Sequence, residues 1–209
     1  MRLLLLLLLV PLSACGRSSP LAELTRLFQG GESEPDRLAI AEAESEEDGE
    51  GPQVRFALGR RAANAVLIQQ QGERRMWRAP GGVVVATDGP RVVATAGLPQ
   101  IVMATRFDGP DPLDDPRALL ERGAEVRRLV DVSGASRSPE TMRFGVAFDC
   151  RLRAARTEEG MILVEERCRV RGFPPVTNRF WASAETGQVG FAEQWVGPGM
   201  GPLSLDFEP

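Results

Sequence analysis

From residue 53 onward, short runs rich in valine, isoleucine and phenylalanine recur between turn residues. Eight of them stand out: Ala65 to Gln70, Arg75 to Arg78, Val83 to Thr87, Arg91 to Ala96, Phe144 to Ala154, Met161 to Val170, Phe180 to Ala184 and Gly190 to Val196. Their length and spacing predict a mainly β, antiparallel domain over residues 53–209, either a barrel or a sandwich, with one or two short helices. Asp88-Gly89 marks a hairpin between two of the runs, and Thr186-Gly187 marks another turn. Asp115 as cap, Pro116 at the first helical position and Gly123 after the run ALLER predict one short helix.

The most specific local pattern lies between RFGVAFDCRLRAART and MILVEERCRVRG. Glu158-Glu159-Gly160 suits a three-residue hairpin loop with glycine in the left-handed position. With Thr157 opposite Met161, Phe148 faces Val170 and Ala154 faces Val164 on one side, while Asp149 faces Arg169 and Arg153 faces Glu165 on the other. Cys150 then lies directly opposite Cys168. In an exported protein that register predicts a cross-strand disulfide, two buried free thiols being the alternative. Glu166 alone breaks the apolar face.

The first 52 residues are organised differently. Arg2, the apolar run Leu3 to Val10, and Leu12-Ser13-Ala14-Cys15 after a proline read as a bacterial secretion signal over residues 1–14. The apolar run is too short for a membrane span. Leu-Ser-Ala-Cys resembles the lipobox of bacterial lipoproteins, which makes Cys15 the acylated (palmitate-bearing) residue; an ordinary signal peptide with an incidental cysteine is the alternative. Several acyl chains hold a protein to a membrane where one does not. Gly16 in place of aspartate after that cysteine favours the outer membrane. Residues 15–52 read as a tether, with Leu21, Leu24, Leu27 and Phe28 on one face of a short helix and an acidic linker behind it. That linker, residues 32–50, has nine acids against Arg37, a charge of −8.

Composition narrows the chemistry. The 209 residues contain no histidine, tyrosine or lysine, so all 25 basic residues are arginine. Ser-His and Cys-His nucleophile pairs, His-ligated metals and Schiff-base lysines are thereby excluded. Residues 51–209 hold 21 arginines against 19 acids, which leaves no basic footprint for nucleic acid. No catalytic residue, metal or cofactor is implied. Asp108, Asp111, Asp114 and Asp115 offer oxygen ligands for calcium, but the interleaved glycine and prolines read more simply as a turn into a capped helix. Trp77, Trp181 and Trp195 are candidate glycan-stacking residues, with core or rim packing as the plainer reading.

The segments WRAPGGVVVATDGPRVVATAGLPQIV, FDGPDPLDDP and NRFWASAETGQVGFAEQWVGPG resemble the YjbF/GfcB family of group 4 capsule lipoproteins. The matching elements are Thr95-Ala96-Gly97-Leu98, Asp111-Pro112-Leu113, Phe180-Trp181, Thr186-Gly187, and Gln194-Trp195 with Pro198; Phe180 stands where tyrosine is common. The resemblance implies a part in producing or exporting capsular or extracellular polysaccharide and supplies no catalytic residue. Three roles follow as expectations. The first is a non-catalytic accessory, lipid-anchored on the periplasmic face of the outer membrane and working with polysaccharide-export proteins. The second is a periplasmic module binding an extracellular glycan. The third is a carboxylate-dependent glycan hydrolase, since paired acids are the one common catalytic set that this composition retains.

Overall fold

A computed structural model describes residues 51–207. The secretion signal, Cys15, the tether helix and the acidic linker lie outside the described residues. Twelve strands form one antiparallel sheet: β1 Gln53–Leu58, β2 Arg61–Gln71, β3 Arg74–Arg78, β4 Val84–Asp88, β5 Arg91–Ala96, β6 Gln100–Asp108, β7 Ala124–Gly134, β8 Arg143–Arg156, β9 Ile162–Val170, β10 Val176–Ala182, β11 Val189–Gln194 and β12 Leu203–Asp206. Apart from β5 and β6, consecutive strands pair with each other, and β12 returns to pair with β1. The result is a nearly closed barrel rather than a sandwich. β5 and β6 are the one consecutive pair without a ladder, and they form the seam.

Alternation explains which way each strand faces. On β9, Ile162, Val164, Cys168 and Val170 are buried, as are Val176, Phe180 and Ala182 on β10. Phe148, Cys150 and Leu152 from β8 complete that wall. A barrel of many strands encloses more space than aliphatic side chains readily fill, and the largest buried groups here include Arg91, Phe148 and Phe180.

The β8–β9 hairpin has the register read from its sequence: Phe148 faces Val170, Cys150 faces Cys168 and Ala154 faces Val164. Its loop closes as expected, Gly160 having φ +80° and the Thr157 N–H donating to the Met161 carbonyl at 2.8 Å. Cys150 and Cys168 form the disulfide. On the outer face Asp149 turns to Arg127 on β7 at 2.9 Å rather than to Arg169 opposite it. The turns at Asp88-Gly89 and Thr186-Gly187 are also present, with both glycines at positive φ.

The short helix is present in its smallest form, and the strand count needs correction. The segment 115–123 holds only a 3-10 turn, Ala118–Leu120. Just ahead of it, Asp115 accepts the N–H groups of Arg117 and Ala118, and the turn ends before β7 begins at Ala124. Strands β1, β6, β7 and β12 were absent from the eight apolar runs. β7 is obscured by Arg128, a charge at a buried position, and β12 has only four residues.

The seam is shaped by its connection. Gly97 has φ +78°, and a Cβ there would lie 2.6 Å from the Gly82 carbonyl oxygen. Beyond the turn, Thr95 Oγ1 accepts the Val102 N–H at 3.0 Å, so a side chain spans the gap where the ladder is missing. Gly97→Ala combines a strained φ with a backbone collision, and it is expected to lower stability by about 1–3 kcal/mol. A urea midpoint equal to that of the parent chain would disprove this account of the seam.

Candidate functional site

The break in the apolar face at Glu166 marks a buried charge cluster. Glu166 is 0% exposed and meets two arginines. Arg91, the first residue of β5, places Nη1 3.0 Å from Oε1 and donates to Oε2 at 3.1 Å. Arg128 on β7 donates to Oε2 at 3.3 Å, and Asn178 on β10 donates its amide to the same oxygen. Arg91 also grips Asp111 through Nε and Nη2, the latter at 2.9 Å. Its guanidinium lies over the rings of Phe107 and Phe180, at 5.0 and 5.2 Å, and Arg128 lies 5.0 Å over Phe148.

Two positive and two negative groups thus neutralise one another inside a low-dielectric interior, where an unpaired charge is very costly. Burial pushes the Glu166 carboxyl upward, but Arg91, Arg128 and the Asn178 hydrogen bond outweigh it and hold the group below its ordinary value. Burial lowers the Arg91 pKa, yet Glu166 and Asp111 more than reverse that and raise it. Arg128 moves down, through burial first and then the nearby Arg91, with Glu166 opposing.

Neighbouring polar groups tie this cluster to the seam. Gln194 accepts the Val92 N–H at 3.0 Å and donates to the Pro90 carbonyl at 2.8 Å, fixing the start of β5. Asn178 accepts the Trp195 N–H at 2.8 Å. Among the residues carrying the family resemblance, Thr95, Gly97, Asp111, Gln194 and Trp195 therefore hold the seam and its charge cluster. Glu166, as a break in the apolar face, and Asp111, in the aspartate-rich turn, had a signal in the sequence; Arg91, Arg128 and Asn178 are visible as partners only once the strands are neighbours.

Several predicted site residues separate. Trp77 is 4% exposed, and its indole donates to Thr87 at 3.2 Å, so burial removes it from any sugar surface. Trp195 packs against Phe148 and Phe173, with centroids 5.1 and 6.3 Å away, and Trp181 packs against Phe191 at 5.1 Å. The aspartates do not converge on a cation, because Asp111 is taken by Arg91 and Asp115 by backbone amides. Cys150, Glu166 and Cys168 bring three potential metal-ligating atoms together, but the two sulfurs are bonded to each other and Glu166 serves the arginines.

Several clefts open at the surface of the barrel. One, about 920 Å³, lies at the seam, where Arg74 pairs with Asp88, Arg75 with Glu73 and Arg106 with Asp131. A second, about 760 Å³, is flanked by Phe144 and Phe173. A third, about 990 Å³, between Glu125, Arg153 and Glu165, adjoins the second through Arg127, Asp149 and Arg169. Phe144 owes its position to a bulge: Val130 pairs with Val146 and Val132 with Arg143, so Phe144 and Gly145 together face Asp131. Gly145 has φ +61°, and its N–H donates to Asp131 at 2.7 Å while Arg106 grips that carboxylate at 2.8 and 3.0 Å. Such a bulge redirects a side chain, and Phe144 is left 70% exposed.

Comparison with known proteins connects this geometry to a family. Residues 46–207 match the family described as "Group 4 capsule polysaccharide lipoprotein gfcB, YjbF". The chain belongs to this family. Its members are capsule polysaccharide lipoproteins, which places the chain in the cell envelope with a membrane anchor. The fold is also that of the crystal structure of the hypothetical lipoprotein YmcC from Escherichia coli (K12), with a TM-score of 0.62 and 18% identity, covering 94% of this chain and 98% of that one. No curated protein matches the sequence.

Proposed function

We propose that the chain is an outer-membrane lipoprotein, held by lipid on Cys15 with its barrel on the periplasmic face, and that it is a non-catalytic accessory in assembly or export of capsular or extracellular polysaccharide. It works there beside polysaccharide-export proteins. The observation that carries the reading is the commitment of the buried Glu166 and the part-buried Asp111 to Arg91 and Arg128. A glycoside hydrolase needs two carboxyl groups free to face a sugar, one protonated and one ionised. These two instead secure strands β5, β7 and β9 together.

Deleting the gene is expected to reduce surface or secreted polysaccharide, and the intact chain is expected to restore it. Unchanged polysaccharide in the deletion strain would refute the accessory role. Cys15→Ser is expected to move the protein from the outer-membrane fraction to the soluble periplasm without altering its barrel. Retention in the membrane fraction would remove the anchor from the proposal. Incubating the purified protein with the cell's own polysaccharide is expected to leave its chain length unchanged, and shortening would restore the hydrolase reading.

A further inference from the structure

The seam cleft and the Phe144 cleft differ in charge, and the cleft adjoining the latter carries Asp108, Glu125 and Glu165 beside its arginines. At the seam, Arg74, Arg75 and Arg106 each have a carboxylate partner. In the Phe144 cleft four arginines, Arg127, Arg143, Arg169 and Arg171, face the single carboxylate of Asp149, which Arg127 takes at 2.9 Å. Arg143 lies 5.6 Å over the ring of Phe173, and no carboxylate among the described residues pairs with Arg143, Arg169 or Arg171. A concave site thus holds three unpaired guanidinium groups between two rings. One of those rings is held outward by a bulge that Asp131 and Arg106 lock.

We propose that this cleft binds a segment of an acidic polysaccharide, with a pyranose face against Phe144 and a uronate carboxylate on Arg169 and Arg171. This inference rests on the polysaccharide reading given above and names the class of glycan. The chemistry matches at each point. Guanidinium forks take planar carboxylates through paired charge-assisted hydrogen bonds. An exposed aromatic ring supplies flat apolar area for the C–H face of a sugar at little entropic cost. The volume falls within the range of small-ligand sites, enough for a few sugar units. Among the described residues, the large apolar side chains with substantial exposure are Ile68, Leu129, Phe144 and Met161, and only Phe144 is more than half exposed. A single ring suits stacking on one sugar, whereas a membrane-inserting face needs a broad apolar surface. Trp195, packed behind Phe173, supports the cleft from beneath.

The test uses the mature chain, residues 15–209, carrying Cys15→Ser so that no acyl chain contributes. Calorimetric titration with a galacturonate hexamer is expected to give saturable binding that weakens with salt, and the neutral maltohexaose is expected to give none. Arg169→Ala/Arg171→Ala is expected to weaken binding about tenfold, and Phe144→Ala about fivefold. All three residues are exposed, so the folded state is expected to persist, which near-ultraviolet circular dichroism checks. Arg60→Ala/Arg78→Ala removes the same charge at exposed positions that line neither this cleft nor the one adjoining it, and is expected to leave affinity within about twofold. Equal binding of both hexamers, no galacturonate binding, or an equal loss in the control variant would each overturn the proposal. So would Phe144-dependent binding to phosphatidylglycerol vesicles without galacturonate binding, which would make the cleft a lipid site. A failed titration with a deletion strain that still loses polysaccharide would eliminate this cleft and leave the accessory role standing.

Discussion

Glu166→Leu is expected to destabilise the barrel by about 3–5 kcal/mol, because it leaves the buried Arg128 without a counter-charge and strips Arg91 of one of its two. Arg91 retains Asp111, whereas Glu166 is the only carboxylate among the described residues paired with Arg128. The double variant Glu166→Leu/Arg128→Met removes the stranded charge together with its partner, and it is expected to be more stable than Glu166→Leu alone. Urea unfolding of the mature chain measures both. If the double variant shows only the sum of two independent losses, the pair is not coupled and the cluster does not hold the strands together.

The same carboxylate makes stability depend on pH. Its folded-state pKa lies below the ordinary value, so the unfolded chain binds more protons as pH falls past the usual glutamate value near 4.5. The stability contributed by Glu166 is complete above that value and is lost as pH falls through the folded-state pKa. Asp131 acts in the same direction, held low chiefly by its hydrogen bonds from Arg106, with burial opposing. Glu166→Gln is therefore expected to be less stable at neutral pH but to lose less on acidification, which unfolding midpoints taken across the acidic range would show.

Removing the disulfide is expected to have the next largest effect. Cys150 and Cys168 are 18 residues apart, and opening a loop of that size costs about 3 kcal/mol. Both positions are buried, so Cys150→Ala/Cys168→Ala adds a small packing loss while creating no buried hydroxyl. The double variant is expected to unfold at lower urea than the parent under oxidising conditions and to remain membrane-anchored through Cys15. Thiol titration of the unfolded parent chain provides an independent check: a value above zero for a lipidated chain would mean that the bridge is not formed.

The disulfide was legible in the sequence because it depends on short-range constraints. Gly160 set the loop, the alternation of apolar residues set the faces, and with both given, Cys150 had one possible partner across the strand. The Phe144 cleft was not legible. Phe144 read as one more strand residue, and only the two-against-one pairing opposite Asp131 turns it outward. The three tryptophans drew attention by residue type, yet Trp77 lies inside the barrel and Trp195 lies behind Phe173.

What the sequence by itself determined is local: β strands of defined facing, the hairpin turns, the register of β8 against β9, and one anomalous acid at Glu166. Period-two alternation and glycine chemistry act over a few residues, so they can be read without knowing the rest of the chain. The tertiary structure decided what rests on distant partners. Barrel closure depends on β1 meeting β12, where Phe56 pairs with Leu205 across nearly the whole domain. The charge cluster draws Arg91, Asp111, Arg128, Glu166 and Asn178 from five separate segments. A buried charge carries no sign in the sequence of which opposite charge will neutralise it. That choice follows only when the closed sheet brings the two together and excludes the water that would otherwise solvate each alone.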